Sequence, residues 1–398
     1  MTNIAMKKHP YFVSGSAPRL YPTEIIFAGL MWSNDDGSSD GISVPPNYFY
    51  PFAWGWGELS SPTSRDYDND DQVFPVPTFI EMTWLSLVEN KLYTIKENLP
   101  KEEIEQLLQE TNEGKPLYDC FVVGMAPYGQ VALWLHGDKR AKLIAWMEAE
   151  ETEEEIECYC LGVNVTRDEY VYRKTVEDVW PEGGVIVTRD EYVYMRLKNS
   201  VVEALINHIT NGLPPRDLYD RYMQQFTYRY VVQFGRWDEE KKEWRDYSKV
   251  DKPGLDYIEE VLFDGTHDKL HDGGLLNYHE AGKPERLALQ FHIKKSEYAA
   301  YFWMDDMRTR AAFEDFYREH PGAGMDFVFR IDPGKNIYQI AFISDVAEET
   351  GILKEETYQF LVFKNRFECC RSKNYNFPRG KWEWWYGEDK RLDLCAFK

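Results

Sequence analysis

The chain of 398 residues is 43% hydrophobic and 16% aromatic, which is enough apolar material for packed cores and excludes a disordered protein. Its formal net charge of −22 opposes phosphate groups, which excludes nucleic acid as a partner and leaves a basic protein partner or mere solubility to explain the charge. No cysteine pair has metal or redox spacing, and no apolar run approaches the roughly 18 residues of a membrane span. We therefore expect a reduced, cytoplasmic protein without a membrane span.

The first expected module lies at residues 17–160, after an N-terminal tail at residues 1–16. Residues 25–32 are apolar and predict a buried strand. The stretch from Pro77 to Asp138 predicts a hairpin, a helix and a second hairpin, because apolar side chains first alternate and then recur at helical spacing. The acidic residues 66–71 resemble the start of a calcium loop, but they lack its glycine and its closing glutamate.

The same order of elements recurs between Pro284 and Asp345. Marker positions of the two stretches are 207 residues apart, as are Trp84 and Phe291. We therefore expect an α+β fold of two related hairpin–helix–hairpin modules with mainly antiparallel sheets, the second one diverged and at residues 225–398. Chance similarity between two ordinary mixed domains is the alternative.

Residues 161–224 are expected to form a helical connector between the modules. The sequence Val-Thr-Arg-Asp-Glu-Tyr-Val-Tyr occupies residues 165–172 and again residues 187–194, a tandem repeat with a spacing of 22. Each copy fits a capping box, which favours a helix, although Tyr-Val-Tyr also favours a strand. The glutamate-rich residues 148–157 are expected to extend a helix that begins near Lys139.

One segment combines imidazole and carboxylate side chains, the groups that bind zinc and similar ions. Its candidate ligands are His267, Asp268, His271, Asp272 and His279. Their spacing matches no standard metal motif, so a solvated polar loop is the alternative. The sequence has no nucleophile elbow, phosphate loop or dinucleotide fingerprint. We expect no catalytic residue and no cofactor beyond a divalent metal at this segment.

Aromatic side chains concentrate in two segments that also contain glycine or lysine. The tryptophans concerned are Trp54, Trp56, Trp382, Trp384 and Trp385. They could pack in a core or against an edge strand, anchor a protein partner, or form a carbohydrate-binding surface. We expect partner contacts here, because tryptophan is enriched at protein interfaces.

The first half resembles the bacterial family called Domain of Unknown Function 2931. The residues that carry the resemblance are Gly41-Ile-Ser-Val-Pro-Pro-Asn-Tyr48, Pro77-Thr-Phe-Ile-Glu-Met-Thr-Trp-Leu-Ser86, Glu89-Asn-Lys-Leu-Tyr93 and Leu99-Pro100. The match is clearest over residues 20–140. Many relatives look like lipoproteins, whereas no cysteine precedes Cys120 here, so no lipid anchor is expected. Some relatives are encoded near interbacterial toxin systems, so the resemblance implies toxin neutralisation and supplies no catalytic residues.

These observations together favour a non-enzymatic protein-binding protein, and in the sharper version an immunity protein for a basic toxin. The first alternative is a metal-dependent enzyme or metal-binding module that uses His267, His271 and His279. The second alternative is a carbohydrate-binding module that uses exposed tryptophans.

Overall fold

The structure is a computed structural model that describes residues 7–18, 21, 23–34, 36–44, 73–86, 88–137, 140–153, 158–160, 163–165, 212–238, 240–241, 243–246, 253–270, 277–293, 296–332, 337–346, 349–352 and 358–364. Within these ranges most residues lie in strands, and only three α-helices occur. The expected α+β class with a helical connector is therefore wrong, and the described chain is mainly β-sheet. None of the described helices is long and apolar enough to cross a membrane.

The chain divides into two compact units: unit 1 comprises residues 1–221 and 264–266, and unit 2 comprises residues 222–263 and 267–398. Part of the expected N-terminal tail lies in strands of unit 1. The elements up to the boundary between the units are β1 (Lys8–Pro10), β2 (Phe12–Ser16), β3 (Thr23–Ser33), β4 (Ser39–Ser43), β5 (Val73–Pro75), β6 (Phe79–Ser86), β7 (Lys91–Asn98), α1 (Lys101–Gln109), β8 (Thr111–Asn112), β9 (Lys115–Pro116), β10 (Cys120–Ala126), a 3-10 turn (Pro127–Gly129), β11 (Gln130–Gly137), β12 (Arg140–Glu148), β13 (Glu150–Thr152), β14 (Cys158–Cys160), β15 (Val163–Val165) and α2 (Leu218–Tyr222).

Two sheets form the body of unit 1. The first has the strand order β13-β7-β6-β3-β4 and is antiparallel throughout. In the second, β2, β10, β11 and β12 are successive neighbours, and β2 runs parallel to β10. Short pairs join β1 to β5, β8 to β9, and β14 to β15.

The core of unit 1 follows from the apolar periodicity of its elements. Ile80, Met82 and Trp84 alternate along β6 and are each fully buried, so one face of the first sheet is apolar. Helix α1 buries the stripe Ile104, Leu107 and Leu108 in the same cluster, as its helical spacing predicts. Burial of each of these aliphatic side chains contributes about 1.5–3 kcal/mol to the free energy of folding.

Unit 2 has its own core and its own set of elements. Its buried cluster is dominated by phenylalanines, and Phe313 and Phe316 form the apolar stripe of its long helix. The elements are β16 (Phe226–Asp238), β17 (Glu243–Asp246), β18 (Pro253–Leu262), β19 (His267–Lys269), β20 (His279–Ala281), β21 (Pro284–Ile293), β22 (Ser296–Met304), α3 (Asp306–Glu319), β23 (Met325–Asp332), β24 (Ile337–Ser344), β25 (Glu349–Ile352) and β26 (Tyr358–Lys364).

The two units repeat one strand order. The order β13-β7-β6-β3-β4 of unit 1 corresponds to β26-β22-β21-β18-β19 of unit 2. The order β2-β10-β11-β12 corresponds to β16-β23-β24-β25, and the first strand is again parallel to its neighbour. Each unit therefore contains the hairpin, helix and hairpin that the sequence indicates, within a larger set of β-strands.

Aromatic packing at equivalent register positions supports the same correspondence. Trp84 of β6 stacks on its cross-strand partner Tyr93, with ring centroids 5.5 Å apart. Phe291 of β21, which lies 207 residues after Trp84, stacks on its partner Tyr298 at 5.3 Å. Such pairs are the local unit of sheet stabilisation, so the two hairpins use the same device.

The helix expected from Lys139 through the glutamate-rich segment is not formed. Residues Arg140–Glu148 are strand β12, which pairs with β11 along its length, and Glu150–Thr152 are strand β13, which pairs with β7. Buried Ala141, Ile144 and Met147 tie β12 to the core of unit 1, and this packing overrides the helical preference of glutamate. In the expected connector, the described residues are the strand β15, the segment after residue 211 and the five-residue helix α2. Both copies of the 22-residue repeat lie outside the described residues, apart from Val165.

Candidate functional site

A β-bulge brings two large apolar side chains to the surface of unit 1. In β3, Ile25 pairs with Trp84 and Phe27 pairs with Thr83, so Ile26 is an extra residue without a counterpart on β6. A bulge of this kind bends the strand and redirects its side chains. Ile26 is 40% exposed and Phe27 is 45% exposed, whereas Ile25 lies in the core. The apolar run at residues 25–32 is thus not the fully buried strand that its composition predicts.

Phe27 lies on the outer face of the first sheet, the face opposite the core. Residues that pair directly across strands share a face, so Phe27, Thr83, Thr94 and Glu150 form one row across four strands. The hydroxyls of Thr83 and Thr94 lie 3.2 Å apart within this row. The aromatic ring of Phe27 therefore stands beside short polar side chains that leave it accessible.

Gly29 makes room for the apolar side chains that flank it. A Cβ atom at this position would lie 2.9 Å from the Sδ atom of Met31 and 3.7 Å from the ring of Phe27. The side chains of Phe27 and Met31 therefore lean over the bare backbone of Gly29 from both sides. We call Ile26, Phe27, Gly29 and Met31 the bulge face of unit 1.

Carboxylates border this bulge face. Glu81, the register partner of Gly29, makes an ion pair with Lys96 at 2.8 Å. This ion pair is solvent-exposed, and such pairs contribute only about 0–1 kcal/mol, so it can rearrange easily. Glu150 is exposed in the same row as Phe27. An apolar centre with a charged rim is the usual anatomy of a protein-binding surface.

A second feature of unit 1 is the carboxylate of Glu89, part of the motif that carries the family resemblance. It accepts hydrogen bonds from Ser86 Oγ at 2.7 Å, from Tyr93 Oη at 3.0 Å and from the backbone N–H of Tyr128 at 3.1 Å. Burial and then the Glu89 carboxylate raise the pKa of Tyr93, which stays a donor. Asn90 and Tyr128 beside it have φ of 54° and 66°, in the left-handed region. Glu89 therefore joins the turn at residues 88–90 to the turn at residues 127–129 through its carboxylate.

Unit 2 contains a buried polar cluster in its core. Glu260 is 3% exposed and accepts a hydrogen bond from Tyr230 Oη at 2.5 Å. Tyr228 donates to the carbonyl of Gly282 at 2.8 Å, and its ring lies 4.9 Å from that of His279. The Nε2 atom of His279 is 4.0 Å from Glu260 Oε1, and burial lowers the pKa of the imidazole. Tyr228, Tyr230 and Glu260 are buried in the packing of unit 2, whereas the side chain of His279 is 30% exposed at the edge of the cluster.

The residues expected to bind a metal are divided among separate contacts. His267 lies on β19, where its Nε2 atom is 3.2 Å from Glu259 Oε1, and Asp268 is the register partner of Glu260. His279 lies on β20 in the buried cluster. His271 and Asp272 lie outside the described residues. In the part of the chain that is described, no group of three or more histidine, cysteine, aspartate or glutamate side chains could hold a metal ion.

The aromatic residues expected to contact a partner all lie outside the described residues. They are Trp54, Trp56, Trp382, Trp384 and Trp385. Sequence reasoning missed Ile26 and Phe27, although a signal was present. Three consecutive large apolar residues, Ile25-Ile26-Phe27, break the period of two that a strand with one buried face requires.

A scan against protein-family models matches residues 2–179 to the family described as "Protein of unknown function (DUF2931)". This confirms the resemblance seen in the sequence. Comparisons with curated proteins and with solved structures gave no match. The bulge face and Glu89 lie within the matched residues, and the described strands of unit 2 lie outside them.

Proposed function

Residues 2–179 match the model of the DUF2931 family, and we propose that the chain is a non-enzymatic protein-binding protein whose partner docks on the bulge face of unit 1. The family description names no activity, so the proposal rests on the residues themselves. The observation that carries it is the exposure of Ile26 and Phe27, at 40% and 45%, on an otherwise well-packed sheet.

Burial of these side chains by a partner supplies the affinity. A phenylalanine side chain that is removed from water contributes about 1.5–3 kcal/mol. Aromatic anchors near the centre of an interface commonly carry a large part of the binding energy. Phe27 fits this role, because it extends from a paired strand and an aromatic side chain has few rotatable bonds to order.

Charge defines the kind of partner. The chain has a net charge of −22, and Glu81 and Glu150 lie on the face of the sheet that carries Phe27. A partner with an apolar contact surrounded by lysine and arginine complements this arrangement, and long-range attraction speeds its association at low salt. Nucleic acid does not complement it, because the phosphates would be repelled.

The specific role that we propose is immunity: the partner is a basic toxin domain, which the protein neutralises by occupying its surface in the cytoplasm. The toxin association of some relatives supports this step, and so does the acidic charge, because an inhibitor of a basic enzyme needs a complementary surface rather than a catalytic group. Of the metal-binding alternative, His267 and His279 lie in separate contacts, and the tryptophans of the carbohydrate-binding alternative lie outside the described residues.

The proposal is tested with the full chain and the product of the gene next to its own, co-expressed and then measured by calorimetry. A complex with a dissociation constant below micromolar is expected, and its affinity should fall as salt rises. Phe27→Asp should weaken it by roughly 10–100-fold, the equivalent of losing about 1.5–3 kcal/mol. Val346→Asp is the matched control, because Val346 is a 78% exposed apolar residue of unit 2. Absence of a complex at micromolar concentration, or equal effects of the two variants, would overturn the proposal.

A further inference from the structure

Unit 2 carries the same bulge at the same register position. In β18, Leu255 pairs with Phe291 and Tyr257 pairs with Gln290, so Asp256 is the extra residue. In unit 1 the corresponding partners are Trp84 and Thr83. Phe291 and Gln290 each lie 207 residues after these partners. Asp256 and Tyr257 therefore occupy the positions that Ile26 and Phe27 occupy in unit 1.

The chemistry at these equivalent positions is different. The Oδ1 atom of Asp256 lies within hydrogen-bond distance of His292 Nδ1, at 2.9 Å. The Nζ atom of Lys269 lies 4.3 Å above the ring of Tyr257. The exposed apolar pair of unit 1 is thus replaced by a carboxylate and a phenol that already have polar partners from their own unit.

A third substitution changes the shape of the face. Two residues after the aromatic position, unit 1 has Gly29 and unit 2 has Glu259. Gly29 leaves its backbone bare for Phe27 and Met31, whereas Glu259 fills the equivalent space and lies 3.2 Å from His267. An apolar partner surface placed there would have to desolvate three charged or ionisable side chains, which opposes docking.

We propose that unit 2 is a diverged copy of the family unit whose bulge face is closed to the partner, so that one chain binds one partner molecule through unit 1. The inference rests on the proposed function, and it specifies that site further. Two copies of one fold would otherwise provide two equivalent docking faces. The hydrogen bond between Asp256 and His292, the cation over Tyr257 and the bulk of Glu259 remove the second face.

The first arm of the test uses the full chain, the product of the adjacent gene, calorimetry and light scattering. One partner per chain is expected. Tyr257→Asp should change the affinity less than two-fold, whereas Phe27→Asp should weaken it at least ten-fold. Hydroxyl-radical footprinting of the same complex should show protection of Phe27 and Met31 and unchanged reactivity of Tyr257.

The second arm restores the missing face. The triple variant Asp256→Ile, Tyr257→Phe, Glu259→Gly should bind a second partner molecule. Its thermal unfolding is compared with that of the parent to show that it is folded. If it does not fold, the affinity of Tyr257→Asp and the footprint of the parent complex decide the question. Two partners on the parent chain, protection of Tyr257, or a ten-fold loss in Tyr257→Asp would overturn the inference and leave the proposed function standing. A folded triple variant with a single partner would also overturn it. Complete absence of a complex instead removes the proposed function.

Discussion

Replacing Glu89 should weaken unit 1 more than replacing any exposed carboxylate. Glu89→Ala removes the acceptor for Ser86, for Tyr93 and for the N–H of Tyr128. The hydroxyl of Tyr93 would lose its carboxylate partner in a residue that is 4% exposed, which costs about 1–3 kcal/mol. Losing charged hydrogen bonds to the other two groups adds about 1–2 kcal/mol after water partly replaces them. The free energy of unfolding of unit 1 should therefore fall by about 2–5 kcal/mol.

Hydrogen exchange with mass spectrometry measures this loss, because it reports the opening free energy of peptides from unit 1 and unit 2 separately. Glu89→Gln keeps one acceptor oxygen and should lose about half as much. Glu151→Ala is the matched control, since its ion pair with Lys91 is exposed and contributes about 0–1 kcal/mol. A loss below about 1 kcal/mol for Glu89→Ala would refute the reasoning, and so would an equal loss for the control.

Two further predictions concern pH and steric fit. Burial lowers the pKa of His279 below its ordinary 6.5, so the folded state binds fewer protons than the unfolded state. The contribution of His279 to the stability of unit 2 is fully present above pH 6.5 and is lost as the pH drops below this value. Hydrogen exchange of β20 and β21 should therefore be less protected at pH 5.5 than at pH 7.5. His279→Phe should reduce this dependence on pH. Gly137→Ala places a Cβ 1.6 Å from the carbonyl oxygen of Leu117. The free energy of unfolding of unit 1 should therefore fall by more than about 2 kcal/mol. Gly114 has a φ of +78°, and a Cβ added there would have no neighbouring atom within 4 Å. Gly114→Ala should therefore lower the free energy of unfolding of unit 1 by only about 1 kcal/mol. Equal melting shifts for the two glycine variants would contradict the steric argument.

Local pattern predicted the hairpins and helices with strong periodicity. Ile80, Met82 and Trp84 alternate and are buried on one face. The stripe of α1 and the stripe of α3 are buried as their spacing predicts. In these segments the sequence period and the tertiary environment agree, because one face of each element is apolar enough to fix its orientation.

The glutamate-rich segment shows where such reasoning fails. Glutamate favours helices in isolation, yet Arg140–Glu148 and Glu150–Thr152 are strands. Both segments form backbone hydrogen bonds with a neighbouring strand, β11 or β7. This strand pairing outweighs the helical preference of glutamate, which amounts to a few tenths of a kcal/mol per residue. Long-range strand pairing of this kind is absent from a local sequence window.

The bulge face shows the same limit, because the broken alternation in the sequence indicates an irregular strand and does not say which residues are exposed. Ile25, Ile26 and Phe27 form an apolar run in the sequence, and only the register against β6 decides that the first is buried and the next two are exposed. Glu259 and Glu260 are likewise identical neighbours, yet Glu260 is buried beside Tyr230 and Glu259 is on the outer face. Register is set by the whole sheet.

The sequence by itself determined that this protein is acidic, predicted two related halves, and showed the resemblance of its first half to the DUF2931 family, whose model matches residues 2–179. Charge, spacing and periodicity are additive or local properties, so they can be derived from the residues in order. The tertiary structure decided that both halves are mainly β-sheet with one strand order, and that the same bulge is apolar in unit 1 and carries a hydrogen-bonded carboxylate in unit 2. Those outcomes depend on which distant strands pair and in which register, and pairing energies between residues far apart in the chain determine both.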